Sequence, residues 1–365
     1  MVVKAEIENI GPIVRGAVEL SRITVFAGPN NSGKSIVSRI IYCCMVTEKE
    51  EYVPNYVMAG GTLEFMRRLL RSDSEGGYAR VNANGRTLSI ELFKEKDPKI
   101  KLEGSPVSAY YVPTRSLSIM FLMLSLASDG PGVLAARRGE IVKEDMQNRF
   151  GIEPERVKGI ESVFMENIKR FLIPAALLYG LDATVTDIIP LLLLRDYTRN
   201  KQVGKIEEEL LGGKVLPELA YEDDLRKVSL HLFEASSGVQ ELWAILPILH
   251  QAMSDCEEGK RVFVFIDEPE AHLHPPAQVK FGEWFVDTCQ NHRNINFVLS
   301  THSDILLGAI TRKSARDECL EMVSVYGFDM DEDGSVTVER KEIYSGGEVK
   351  GIKGFSEAIE SITWL

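Results

Sequence analysis

The apolar positions fall into two alternating regimes. Near the start, Val2 to Ile7 alternates weakly, Gly11-Pro12 marks a turn, and Val14 to Leu20 leads to a second apolar run, Ile23 to Ala27. Behind the following glycine-rich stretch, Ile36, Ile40, Ile41, Cys44 and Met45 recur at helical spacing, so this region predicts strand, loop, helix. A short helix is expected around Leu63 to Leu70. Two alternating runs, Ala79 to Val81 and Thr87 to Phe93, flank Asn84-Gly85, a hairpin signal. A further strand, Val107 to Val112, stops at Pro113.

From Ser116 to about Gly212 the pattern turns helical. Ile160, Val163, Phe164, Ile168, Phe171 and Leu172 line one face, which predicts an all-α insertion. Beyond the Gly212-Gly213 break come strand-like runs at Lys214 to Leu219 and Lys227 to Phe233. An apolar helix then carries Leu242, Trp243, Ile245, Leu246 and Leu249, with Pro247 predicting a kink or an early end near Leu246. Val262 to Ile266 is uninterruptedly apolar, as a parallel strand covered on both faces should be, and Phe297 to Leu299 is a shorter copy. Helices are expected at Pro276 to Cys289 and Ile305 to Ile310. The fold class is therefore α/β with a mixed sheet, a β-rich N-terminal subdomain and an all-α insertion. The expected divisions are 1–115, 116–212 and 213–365.

Composition narrows the classes. With 365 residues, 44% of them hydrophobic and 26% charged, the chain is an ordinary globular protein with a sizeable core. Its net charge of −12 argues against coating nucleic acid or an anionic membrane by bulk electrostatics and restricts such contact to a local patch. The most apolar stretch, Phe171 to Leu194, is interrupted by Pro174, Asp182, Asp187 and Pro190, so no spanning helix is expected. The opening residues, MVVKAEIENIG, are too polar and too short in apolar run for a signal peptide to be expected. Cys43, Cys44, Cys256, Cys289 and Cys319 show no paired-cysteine motif and read as reduced thiols of a cytoplasmic protein.

Four elements carry chemistry. Gly28, Pro29, Asn30, Asn31, Ser32, Gly33, Lys34 and Ser35 match G-x-x-x-x-G-K-[ST] between strand and helix. Such a loop turns its amides toward phosphate oxygens at a positive helix end; Lys34 reaches the β- and γ-phosphates and Ser35 ligates Mg²⁺. The apolar strand ending in Asp267-Glu268 places Asp267 for the Mg²⁺ shell and Glu268 to polarise an attacking water, unless the pair is merely a solvated edge. Ser236, Ser237, Gly238 and Gln240 open the apolar helix. Ser237-x-x-Gln240 reads as a capping box, and a serine-glycine helix start is also an anion site. Finally, His302 follows a parallel strand on the loop's side of the sheet, where a γ-phosphate or attacking water would lie; a satisfied loop histidine is the alternative.

In this order the elements resemble the ATPase domain of the ABC superfamily, in particular its OLD-type, RecF-like and SMC-like soluble branch of P-loop NTPases. The resemblance is carried by GPNNSGKS, SSGVQE, VFVFIDEPEAHLHP and LSTHS, and covers 1–45, about 78–115 and 213–365. It implies ATP and Mg²⁺ as cofactors, Asp267 as Walker B acid, Glu268 as catalytic base and His302 as switch histidine. It also implies a homodimer sandwiching ATP, with Ser237 and Gly238 on the partner's γ-phosphate and Glu270 to His274 crossing the interface. The expected role is an ATPase coupling nucleotide state to a partner protein or DNA, in genome maintenance or anti-phage defence. The alternative is a nucleotide-gated scaffold with little turnover. Too few residues follow His302 for the nuclease domain of OLD-type proteins, so a separate effector is expected. One departure stands out. No glutamine occurs between Ser35 and Gln147; the corresponding stretch runs from Tyr110 to Ser116, with Arg115 as a candidate phosphate or partner contact.

Other patterns are better explained locally. Asp329, Asp331, Asp333 and Gly334 begin like a calcium loop, but the twelfth position is Arg340, and a hairpin between Val323 to Phe328 and Val336 to Val338 accounts for them. Glu270, His272 and His274 are followed by a helix-starting Pro275, which disfavours a metal site. Arg137, Arg138, Arg195, Arg199, Lys201 and Lys205, like Arg67, Arg68 and Arg71, read as solvated helical faces before they read as a nucleic-acid patch.

Overall fold

A computed structural model describes residues 2–57, 66–113, 200–216, 220–231 and 234–353. Most of the expected insertion, 116–199, and Arg115 with it, lies outside the described residues; of the short helix expected around Leu63 to Leu70, residues 63–65 lie outside them, and only 66–67 of the rest are helical.

The chain opens with β1 (Val3–Ile10), β2 (Ile13–Glu19) and β3 (Ile23–Ala27), then α1 (Lys34–Val46) and a short α2 (Val53–Val57). Next come β4 (Gly76–Ala83), β5 (Arg86–Phe93), β6 (Lys99–Glu103) and β7 (Ala109–Val112). The β4–β5 turn is Asn84-Gly85 with φ of 56° and 89°, the two positive values that a tight hairpin requires. After the undescribed segment follow α3 (Lys201–Leu211), β8 (Gly213–Leu216), β9 (Ala220–Asp223) and β10 (Val228–His231). The remainder is α4 (Ser237–Glu257), β11 (Val262–Asp267), α5 (Pro275–Asn291), β12 (Ile295–Thr301), α6 (Asp304–Arg316), β13 (Val323–Met330) and β14 (Val336–Lys341).

The sheet of eleven strands runs β6-β5-β4-β1-β2-β14-β13-β3-β12-β11-β7. Its first half, β6 to β2, is antiparallel; β13, β3, β12, β11 and β7 are mutually parallel. The sheet is therefore mixed, with a β-rich N-terminal half. β8, β9 and β10 form a separate antiparallel sheet.

Alternation along the buried strands feeds two cores. Val262, Val264 and Ile266 of β11 join Ile295, Phe297 and Leu299 of β12 in the core under α4, α5 and α6. Phe263, Phe265 and Val298 point to the other face, with α1 and the antiparallel strands. The parallel strands thus all end at one edge, where β3 meets α1 and β11 and β12 deliver their last residues.

Pro247 does not end α4, which runs unbroken for 21 residues. The expected break fails because Leu242, Ile245, Leu246, Ile248, Leu249, Ala252 and Met253 are all buried. At roughly 1.5–3 kcal/mol per large buried side chain, their packing outweighs the roughly 3 kcal/mol penalty of an interior proline. The acidic turn after Met330 is the expected hairpin, with Met330 opposite Val336.

Candidate nucleotide site

The loop between β3 and α1 is shaped by backbone that other residues would not tolerate. Gly28 has φ of 156° and a side chain there would meet the Phe328 carbonyl oxygen at 2.6 Å; Gly33, the N-cap of α1, has φ of 92°. No side chain caps α1 and no acid occupies its first turn. By contrast α3, α4, α5 and α6 are capped by Asn200, Ser236, His274 and Ser303. The α1 amides therefore remain available to an anion.

Lys34 lies over this loop, only 5% exposed, and its ammonium donates to the carbonyls of Gly28 (2.9 Å) and Pro29 (2.7 Å). Burial pulls its pKa down to about 8, against the opposing pull of Glu268, Asp267 and Glu270. The loop, Lys34, Ser35, Glu268, Ser300 and His302 line one cleft of about 740 Å³.

Glu268 follows the end of β11 in a left-handed conformation (φ 52°), and its amide donates to the Ser300 carbonyl at 2.8 Å. This strained step turns its carboxylate toward His302, whose Nε2 is 2.9 Å from Glu268 Oε1. His302 Nδ1 lies 2.8 Å from the Gly28 carbonyl, tying the histidine to the phosphate loop.

Asp267 is buried at the end of β11, level with Ser300 of β12. Burial raises its pKa, while Tyr111, Arg39, Ser300 and Ser35 pull the other way. The Tyr111 hydroxyl donates to Oδ2 at 2.6 Å, whereas Oδ1 is buried with no hydrogen-bond partner. A buried carboxylate oxygen left open beside a serine hydroxyl suits a hard divalent cation, so the residues present fit Mg²⁺.

Two residues here escaped the sequence reading. Tyr111 lies 156 positions from Asp267, too far for any local pattern to connect them. Glu270 falls in the stretch expected to cross an interface, yet it is buried. Its Oε1 accepts from the Thr301 hydroxyl (2.6 Å) and the His302 amide (2.8 Å), so it sets where His302 begins. Burial raises its pKa. His274 caps α5 through Nδ1, accepting from the Ala277 amide at 3.3 Å.

Ser236, Ser237, Gly238 and Gln240 do not line the cleft among the described residues. The cap of α4 is Ser236, accepting from the Val239 amide, one residue earlier than the Ser237 expected; Gln240 reaches back to the Ala235 carbonyl instead. Ser236 and Ser237 are exposed, and Gly238 packs on the loop backbone, where a side chain would approach the His272 carbonyl to 3.0 Å. Of the basic residues, Arg67 pairs with Asp97 and Arg71 with Asp73.

A phosphate loop on the central parallel strand, an Asp-Glu pair on the next strand but one and a histidine between them lie together at one edge of a mixed sheet, the arrangement of a P-loop nucleotide-binding fold. Residues 169–308 match the model of an AAA domain family described as putative AbiEii toxin, Type IV TA system. The SMC head domain from Thermotoga maritima aligns with 16% identity and a TM-score of 0.45, covering 94% of this chain and 99% of that one. An SMC head bound to the C-winged helix domain of ScpA aligns with 13% identity, TM-score 0.49, and 98% and 99% coverage. A RecF recombination mediator structure gives 11%, 0.43, and 93% and 98%. No curated protein matches the chain.

Proposed function

We propose that the protein binds ATP in the cleft at Lys34 and hydrolyses its γ-phosphate. The observation that carries this reading is the bond of Glu268 to His302, held against the Gly28 carbonyl of the phosphate loop. A base placed there takes a proton from water approaching a γ-phosphate, and His302 holds its carboxylate in line. Lys34 leaves its loop carbonyls for the phosphate oxygens, and the α1 amides take the remaining charge. Ser35 and Asp267 would hold Mg²⁺, which would supply charge neutralisation of the bound phosphates.

Two copies close around two nucleotides in this reading, with Ser236, Ser237, Gly238 and Gln240 of each serving the other's cleft. The exposure of Ser236 and Ser237 outside their own cleft, at an N-terminal helix end, supports that assignment. Opening and closing of the pair would pass the nucleotide state to DNA or a separate effector protein, in genome maintenance or anti-phage defence. The test is steady-state ATPase activity of the purified chain beside Glu268→Gln. Turnover in the parent that the variant lacks, with ATP still bound by both, is the expected result; equal rates would remove Glu268 from the mechanism.

A further inference from the structure

Tyr110 and Tyr111 are neighbours on β7, the edge strand beside β11, and strand alternation sends them to opposite faces of the sheet. Tyr111 is fully buried in the α1-side core, its ring 5.3 Å from that of Tyr42 and stacked on Phe265 at 6.1 Å. Its hydroxyl holds one oxygen of Asp267 and leaves the other open. Tyr110 packs on the opposite core, and its hydroxyl donates to Asp255 Oδ2 of α4 at 2.6 Å. The other Asp255 oxygen is held by Gln251 (3.2 Å) and Lys260 (3.0 Å), so this acid is saturated where Asp267 is not.

A buried tyrosine needs some acceptor, and satisfying that need explains Tyr110 and Tyr111 singly. It does not explain the asymmetry. Two adjacent phenols grip two acids on opposite faces, one half-satisfied at the phosphate loop and one locked on the helix that starts at Ser236.

We propose that the Tyr110–Tyr111 pair is a two-faced positioning device. Tyr111 orients Asp267 so that Oδ1 is presented to the cation beside Ser35. Tyr110 ties the same strand to α4, so that cation binding is felt by the helix bearing Ser237 and Gly238. The inference rests on the nucleotide reading above and deepens it.

Tyr111→Phe keeps the ring and removes the donor. The Mg²⁺ concentration that half-saturates binding of a fluorescent, non-hydrolysable ATP analogue should rise about tenfold or more, as loss of a group that orients a metal ligand typically causes. Binding of the same analogue in EDTA and the melting temperature in EDTA serve as the structural controls, the first staying unchanged. In an Asp267→Asn background, Tyr111→Phe should shift the midpoint no further. Tyr110→Phe should leave the Mg²⁺ midpoint within about twofold but abolish the slowing of α4 amide exchange that Mg²⁺ with analogue produces, while slowing in α1 persists. A parental midpoint in Tyr111→Phe, an additive shift in the Asn background, or parental α4 exchange in Tyr110→Phe each overturns the proposal. If the unsubstituted protein shows no Mg²⁺-dependent binding at all, it is the nucleotide reading that falls.

Discussion

His302 is held from both sides: Nδ1 lies 2.8 Å from the Gly28 carbonyl oxygen, and Nε2 lies 2.9 Å from Glu268 Oε1. A carbonyl cannot donate, so Nδ1 carries the proton of that contact. The second contact then joins an imidazole nitrogen to a carboxylate and is bonding when another proton sits between them. The histidine thus links the phosphate loop to the carboxylate that follows β11.

Glu268→Gln preserves this bond, because the amide can donate to Nε2, but removes the carboxylate proposed to accept a proton from water. Single-turnover hydrolysis should slow about 10²-fold or more with ATP affinity little changed. His302→Ala keeps the acid and frees its carboxylate, so hydrolysis should again fall more than binding. A loss confined to affinity would show that the pair binds nucleotide without acting on water.

Lys34 gives the site a pH dependence of definite sign. Burial lowers its pKa to about 8 from 10.5, so between these values the unfolded chain binds more protons than the folded one. Stability contributed at this position therefore rises with pH across that window, and the buried charge is a cost of roughly 3 kcal/mol below it. Phosphates favour the charged form. ATP binding should thus take up protons above about pH 8 and weaken as pH climbs further. Calorimetry at pH 8.5 in buffers of different ionisation heat measures the uptake, and buffer-independent heats would contradict it. Lys34→Ala should weaken ATP binding about a hundredfold.

The five cysteines are free and buried, and burial pushes Cys43, Cys44 and Cys289 up to about 12. A thiol held neutral in the fold and ionised more easily when unfolded loses stability as pH rises past 9. The native protein should therefore resist iodoacetamide at pH 8 and become alkylated only on denaturation, as mass spectrometry would record. Fast labelling of Cys43 or Cys44 in the folded state would mean that the α1 core opens.

What could be read in advance was what depends on neighbours in the chain. The phosphate loop, the strand ending in Asp267-Glu268, the Asn84-Gly85 hairpin and His302 after its strand all rest on spacing within a few residues. β6 was missed because Lys99 to Glu103 alternates exposed and half-buried positions and carries no apolar run. Pro247 misled because its penalty is local while the packing that overrides it comes from β11 and β12. The Tyr111–Asp267 and Glu270–His302 bonds close only when distant strands align. Sequence spacing likewise could not separate Ser236 from Ser237 as the cap of α4.

That exposed Ser237 offers the sharpest test of two copies sharing each nucleotide. In one chain it stands outside the cleft formed by Lys34 and Glu268. Ser237→Arg adds bulk and charge at the surface without touching the chain's own phosphate loop, and Lys34→Ala disables that loop without touching Ser237. Each variant alone should be inactive. Mixed one to one, about half the dimers pair one variant with the other, and each of these holds one complete site out of two. Activity should then return to about a quarter of the parental rate. Recovery requires that the loop of one chain work with the helix end of the other. Mixed dimers purified by two tags and still inactive would rule that out, and a fully active Ser237→Arg would remove this helix end from the site altogether.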